Sequence, residues 1–104
     1  MEKQEPKGNI ILSGFKLTSE EMTTLNKVIG KYAEKIRNFT DYEELKLEAK
    51  THLKSEKKKY EMKISLRFNQ NIATAGSEGF NVFVLTDKLM KKIIQKVENK
   101  IKKI

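Results

Sequence analysis

The chain has 104 residues, 38% of them hydrophobic and 35% charged, which suits one domain with a small core and a heavily charged surface. There are 22 Lys and Arg against 14 Asp and Glu, a net charge of +8, and such a balance favours an anionic partner, nucleic acid before membrane. The absence of cysteine excludes disulfides and thiolate metal sites and fits a reducing cytoplasm.

The charge is uneven along the chain. Residues 1–50 carry 9 basic and 9 acidic residues, whereas residues 51–104 carry 13 basic and 5 acidic. The basic partner surface is therefore expected in the second half. No apolar run is long enough to span a membrane. The start, MEKQEPKG, has no apolar core, so residues 1–8 read as a flexible lead-in rather than a signal peptide, and residues 9–104 as the folded domain.

Asn9 to Phe15 is a short apolar run with Gly8 before it and Gly14 inside its end, and it reads as a strand. Thr18 or Ser19 can cap the helix that follows, with Glu20 and Glu21 suited to its positive end. Met22, Leu25, Ile29, Tyr32, Ala33 and Ile36 recur at three and four, which predicts an amphipathic helix over 19–38. Gly30 inside it costs about 1 kcal/mol relative to Ala.

Leu45, Leu47 and Ala49 alternate with charged residues, the pattern of a strand with one buried face. The basic segment Lys54 to Lys59 interrupts it. Tyr60, Met62, Ile64, Leu66 and Phe68 then alternate with polar residues, so the two strands read as an antiparallel hairpin. Asn69 to Asn71 make a turn, and Ile72 to Gly76 a shorter strand. Gly76-Ser77-Glu78-Gly79 reads as a plain turn, without the Gly-Lys-Ser/Thr ending of a phosphate loop.

The stretch GFNVFVLTDKLMKK is ambiguous. Phe80 to Thr86 has strand propensity. Yet Val82 to Leu85 is continuously apolar, and Val82, Leu85, Leu89, Ile93, Val97, Ile101 and Ile104 form one helical face. Asn81 is a good cap, so the helix is predicted to begin there, since burial overrides weak propensity. The result is an α+β single domain, β-α-β-β-β-α. It has a four-stranded sheet with both helices on one face and a polar face towards solvent. Double-stranded-RNA-binding modules share this kind of layout.

Lys88, Lys91, Lys92, Lys96, Lys100, Lys102 and Lys103 outnumber Asp87 and Glu98 on the last helix, and most lie opposite the apolar stripe. Lys27, Lys31 and Lys35 make the same arrangement on the first. Together they predict a basic platform that binds phosphates through charge, with little sequence reading. Outward lysine is the default on any helix, but ten on two helices with few balancing acids favours binding. The hairpin segment, with Lys54 and Lys57, is a second candidate contact. His52 reads as a surface residue at a strand end. No acid–base pair, nucleophile or metal cluster stands out, so neither an enzyme nor a cofactor is expected. The aromatic residues mostly fall at core spacing, with no exposed pair for stacking bases.

The order and its ends resemble the short ribosome hibernation-promoting factors, also called ribosome-associated translation inhibitors. In that family a short strand ends in Glu-Gly, followed by Asp-Met-Tyr, small residues, Ile-Asp and a basic helix. Here Glu78-Gly79 matches the pair, Asn81-Val82-Phe83 stands at Asp-Met-Tyr, and Asp87 at the later Asp. NIILSGFKLTSEEM resembles the family's first strand, turn and Leu-Thr helix entry, and His52 sits where some members have a His. The likeness spans about residues 9–103. Lys31 and Lys92 match basic positions of its two helices, whereas Phe15, Val28, Gln95 and Asn99 stand where basic residues are common. The resemblance implies a cytoplasmic protein, not an enzyme. Such a protein binds the small ribosomal subunit through rRNA phosphates in the mRNA and tRNA channel and blocks translation. A chain ending at Ile104 would lack the longer members' dimerising domain. The alternatives from the residues alone are a general structured-RNA-binding module and a protein-interaction domain with incidental charge. No membrane or small-molecule partner is expected.

Overall fold

Both helices start where side chains satisfy the orphan amides of a first turn. The Thr18 hydroxyl accepts from the Glu21 amide at 3.1 Å, and the Glu21 carboxylate accepts from the Thr18 amide at 2.9 Å. This reciprocal capping box starts α1 (Ser19–Arg37), with Asn38 closing its C-terminal end. Asn81 Oδ1 accepts from the amides of Phe83 and Val84, at 2.9 and 3.2 Å, and starts α2 (Val82–Lys102). The strand propensity of residues 80–86 is therefore overridden. Val82, Leu85, Thr86 and Leu89 are all buried on one helical face. The Thr86 hydroxyl is satisfied by donating to the Val82 carbonyl at 2.8 Å.

The computed structural model describes residues 9–102. The expected lead-in of residues 1–8, and Lys103 and Ile104 of the predicted helix, lie outside the described residues. The element order is β1 (Asn9–Ser13), α1, β2 (Glu44–Lys54), β3 (Lys57–Phe68), β4 (Asn71–Gly79) and α2, which is the predicted β-α-β-β-β-α. The four strands form one sheet in the order β1-β2-β3-β4. β1 runs parallel to β2, and β2, β3 and β4 form an antiparallel meander.

Four boundaries differ from the expectation. The basic segment does not interrupt the hairpin: β2 and β3 pair without a break from Glu44↔Arg67 to Lys54↔Lys57. Only Ser55 and Glu56 turn, both with positive φ, which matches a two-residue primed hairpin loop. Gly76 to Gly79 is not a turn. It continues β4, Gly79 pairing with Tyr60 and Glu78 with Glu61, because the long β3 supplies partners that far. At the other hairpin Asn71 belongs to β4, leaving Asn69 and Gln70 as the loop. β1 also stops earlier, at Ser13, because Gly14 takes φ +80° and leaves the strand path.

The core is one layer between sheet and helices. Leu25, Ile29, Ala33 and Ile36 of α1 bury against it, as do Val82, Leu85, Leu89, Met90, Ile93 and Val97 of α2. The sheet contributes Leu45, Leu47, Ala49, Met62, Ile64, Leu66 and Phe68. Each fully buried aliphatic side chain of this kind contributes about 1.5–3 kcal/mol relative to exposure. The opposite sheet face carries Lys46, Glu48, Lys50, Glu61, Lys63, Ser65 and Arg67, of which Lys46 and Ser65 are partly covered and the others exposed.

Candidate nucleic-acid interface

The two faces of the molecule treat their charges differently. On the open sheet face, opposite charges meet both along β2 and between neighbouring strands. Lys46 pairs with Glu48 at 3.1 Å and Lys59 with Glu78 at 3.4 Å. Arg67 lies 3.7 Å from Glu44 and 3.9 Å from Glu43. His52 Nε2 sits 3.1 Å from Glu61 Oε1, and that hydrogen bond holds the Glu61 carboxyl below the usual carboxylate range. These opposite charges satisfy one another, and Lys50 and Lys63 are left on this face without a carboxylate partner among the described residues.

The helix face is different. α2 carries Lys88, Lys91, Lys92, Lys96, Lys100 and Lys102 against Asp87 and Glu98, and all six lysines are exposed. Lys27, Lys31 and Lys35 are exposed on α1. Among the described residues no carboxylate pairs with Lys27, Lys31, Lys88, Lys92, Lys100 or Lys102. These cations keep their donors for an outside acceptor.

The ten predicted contact residues divide into four groups. Lys31, Lys35 and Lys91 line the seam between the helices, together with Val28, Tyr32, Asp87, Ile94 and Glu98. There the Tyr32 hydroxyl donates to Asp87, and Lys91 pairs with the same carboxylate at 3.2 Å. Those two bonds, with Lys35 nearby, hold the Asp87 carboxyl below its ordinary value. The Tyr32 phenol is pushed up to about 12, first by the bond to Asp87 and then by burial. Lys35 also sits 5.5 Å from the Tyr32 ring centroid. Lys27, Lys88 and Lys100 stand exposed, away from that seam. Lys92 and Lys96 lie on the other flank of α2, beside Ala75 and Gly76 of β4. Lys96 donates to the Thr74 carbonyl, so its ammonium caps the sheet edge. Lys57 belongs to the hairpin arm, far along β3 from the helix lysines, and the Lys54 side chain lies outside what the structure describes.

Two features were not read from the sequence. One is the Tyr32–Asp87 link, whose partners are 55 residues apart. The other is the exposure of Phe80 and Phe39, when aromatic residues were expected at core positions. Both lie just outside helix ends, where the periodicity that assigns faces no longer applies. Among the described residues, no group of three or more His, Asp or Glu could hold a metal, and no helix is long and apolar enough to cross a membrane.

The sequence matches no protein-family model and no curated protein. Its shape does match solved structures. A ribosomal subunit interface protein from Coxiella burnetii superposes with a TM-score of 0.69 at 15% identity, covering 91% of this chain and 99% of that one. The chain shares that protein's fold. The N-terminal domain of Protein Y from Thermus thermophilus matches with a TM-score of 0.55 at 14% identity, over 88% of this chain and 94% of that one. Since the likeness spans nearly the whole of both structures, no large insertion separates this chain from either.

Proposed function

We propose that this protein is a ribosome hibernation factor of the short type. It binds the small ribosomal subunit in the mRNA and tRNA channel and inhibits translation by occupying that channel. The observation that carries the reading is the contrast between the two faces. On the sheet face Lys46, Lys59 and Arg67 are engaged by carboxylates and Lys50 and Lys63 are not, whereas the helix face presents six lysines without carboxylate partners among the described residues. Such a surface fits the phosphates of structured RNA, recognised by shape and charge rather than by base sequence. The shared fold with a subunit interface protein supports the choice of the ribosome as the RNA concerned.

The mechanism is steric and electrostatic. Lys31 and Lys92, with Lys27, Lys88 and Lys100, neutralise rRNA phosphates. Counterions released from the RNA drive association. The folded body then excludes tRNA and mRNA. The chain performs no chemistry in this reading.

Co-sedimentation with purified small subunits, with tRNA as competitor, tests it. Stoichiometric pelleting at physiological salt is expected, displaced by tRNA and weakened when Lys31 and Lys92 are both changed to Glu. Binding indifferent to tRNA, or tighter to free duplex RNA than to subunits, overturns it in favour of a general RNA-binding module. No pelleting at physiological salt overturns it in favour of a protein-interaction domain.

A further inference from the structure

Phe80 lies between the end of β4 and the cap of α2, and 58% of its surface is exposed. Its ring is not part of the core. One turn further on, Val84 is 61% exposed on the outer surface of α2. Lys57 on β3 stands beside the ring, its ammonium 6.0 Å from the ring centroid. Strand pairing explains the meeting. Gly79 pairs with Tyr60, so residue 80 comes alongside the Lys57–Lys59 arm of the hairpin. Lys58 is exposed in the same arm, whereas Lys59 is engaged by Glu78.

We infer that Phe80 and Lys57 form a stacking platform for an unpaired nucleobase of an RNA strand, a site separate from the phosphate-binding helix face. The inference rests on the RNA-binding reading above. A flat apolar ring beside a flexible cation complements a nucleotide in both its parts. The base stacks on the ring, and Lys57 takes the adjoining phosphate. Any base serves, because each has a π-face. Phe80 offers a bilayer only a single ring for insertion, whereas one ring suffices to stack a base. Glycine at 79 fits the same place. A Cβ there would come within 3.4 Å of the Leu85 side chain, so the backbone runs close to α2 and fixes where Phe80 emerges.

The chain has no tryptophan, so Phe80→Trp places a sole indole reporter at the site. The probe is a single-stranded RNA hexamer, compared with an abasic hexamer that keeps the phosphates. The hexamer is expected to quench the indole and the abasic strand to leave it bright. Phe80→Ala in the full chain should weaken hexamer binding about tenfold and leave abasic binding unchanged. Lys57→Gln should weaken both. Equal affinity for the two strands, or quenching by phosphatidylserine vesicles without quenching by RNA, overturns the inference. Circular dichroism of Phe80→Ala should match the parent, since the ring is outside the core. If subunit pelleting ignores the Lys31 and Lys92 reversal while the hexamer still quenches the indole, the ribosome reading fails and the platform stands. If pelleting behaves as proposed and the indole stays bright, the platform alone fails.

Discussion

The Tyr32 hydroxyl of α1 donates to the Asp87 carboxylate of α2, and this bond ties the two helices across their outer seam. It shifts both groups in opposite directions, Tyr32 up to about 12 and Asp87 below its ordinary range. The signs fix the pH dependence. Asp87 is depressed in the folded state, so its contribution is present above the unfolded carboxylate value of about 3.9 and is lost as pH falls through the folded value. Tyr32 is raised, so its contribution is complete below about pH 10 and is lost as pH rises from 10 towards 12. Tyr32→Phe should raise the Asp87 pKa in a carboxyl NMR titration, while Lys91 still holds it partly down. A difference ultraviolet titration of parent against Tyr32→Phe should isolate a phenol ionising near 12. A midpoint near 10 would mean that the bond does not persist in solution.

The two faces should differ in salt dependence as well as in affinity. Lys92 has no carboxylate partner among the described residues, whereas Lys46 is engaged by Glu48 at 3.1 Å on the sheet face. Each lysine that neutralises a phosphate contributes roughly one unit to the slope of log affinity against log salt. Lys92→Gln should therefore lower the slope by about one, measured on a small-subunit rRNA fragment between roughly 50 and 200 mM salt. Lys46→Gln should leave it unchanged. Equal slopes for the two variants would show that the lysines act only through net charge.

Two glycines of the first half should respond oppositely to alanine. Gly30 lies exposed in the middle of α1, and a Cβ there meets nothing within 4 Å. Gly30→Ala should stabilise the fold by about 1 kcal/mol, through helix propensity alone. Gly14 has φ +80°, and a Cβ there would stand 2.1 Å from the Ala49 carbonyl oxygen. Because that oxygen belongs to the backbone of a central strand, the clash is not relieved by a side-chain rotation. Gly14→Ala should cost at least about 2 kcal/mol, from the left-handed conformation together with the clash. Urea unfolding of the two variants checks both signs.

What could be read from the sequence follows from where periodicity is physically enforced. α2 was legible against its own strand propensity because Val82, Leu85, Leu89, Ile93 and Val97 must share one buried face. The interior of β3 was legible because buried Met62, Ile64 and Leu66 alternate with the polar residues Glu61, Lys63, Ser65 and Arg67. The hairpin arm was not. Beyond Tyr60 the side chains of Lys57 to Lys59 lie largely in solvent, so no buried face imprints an alternation, and pairing is kept by backbone bonds alone. The end of β4 was hidden for a related reason: Gly76, Ser77 and Gly79 carry almost no side chain to alternate. The helix lysines could be named in advance, but not their sorting. That Lys96 bonds the Thr74 carbonyl while Lys31, Lys35 and Lys91 gather around Asp87 depends on how the helices dock.

The two hairpin loops carry correctable strain. Ser55 and Glu56 have φ +48° and +69°, and Asn69 and Gln70 have +48° and +64°. Asparagine tolerates this region, and Asn69 suits the first loop position, but Glu56 and Gln70 stand where glycine is favoured. A left-handed residue with a Cβ costs about 1–2 kcal/mol, partly offset by the greater chain entropy that glycine loses on folding. Gln70→Gly should therefore stabilise by about 1 kcal/mol and leave RNA binding as it was. Glu56→Gly should stabilise by a similar amount. It also removes the carboxylate from the turn between Lys54 and Lys57, so it should tighten binding of single-stranded RNA in a way that disappears at high salt. Thermal unfolding and hexamer titration of the two variants separate the effects. A rise in stability without a rise in affinity for Glu56→Gly would place the hairpin tip outside the RNA contact.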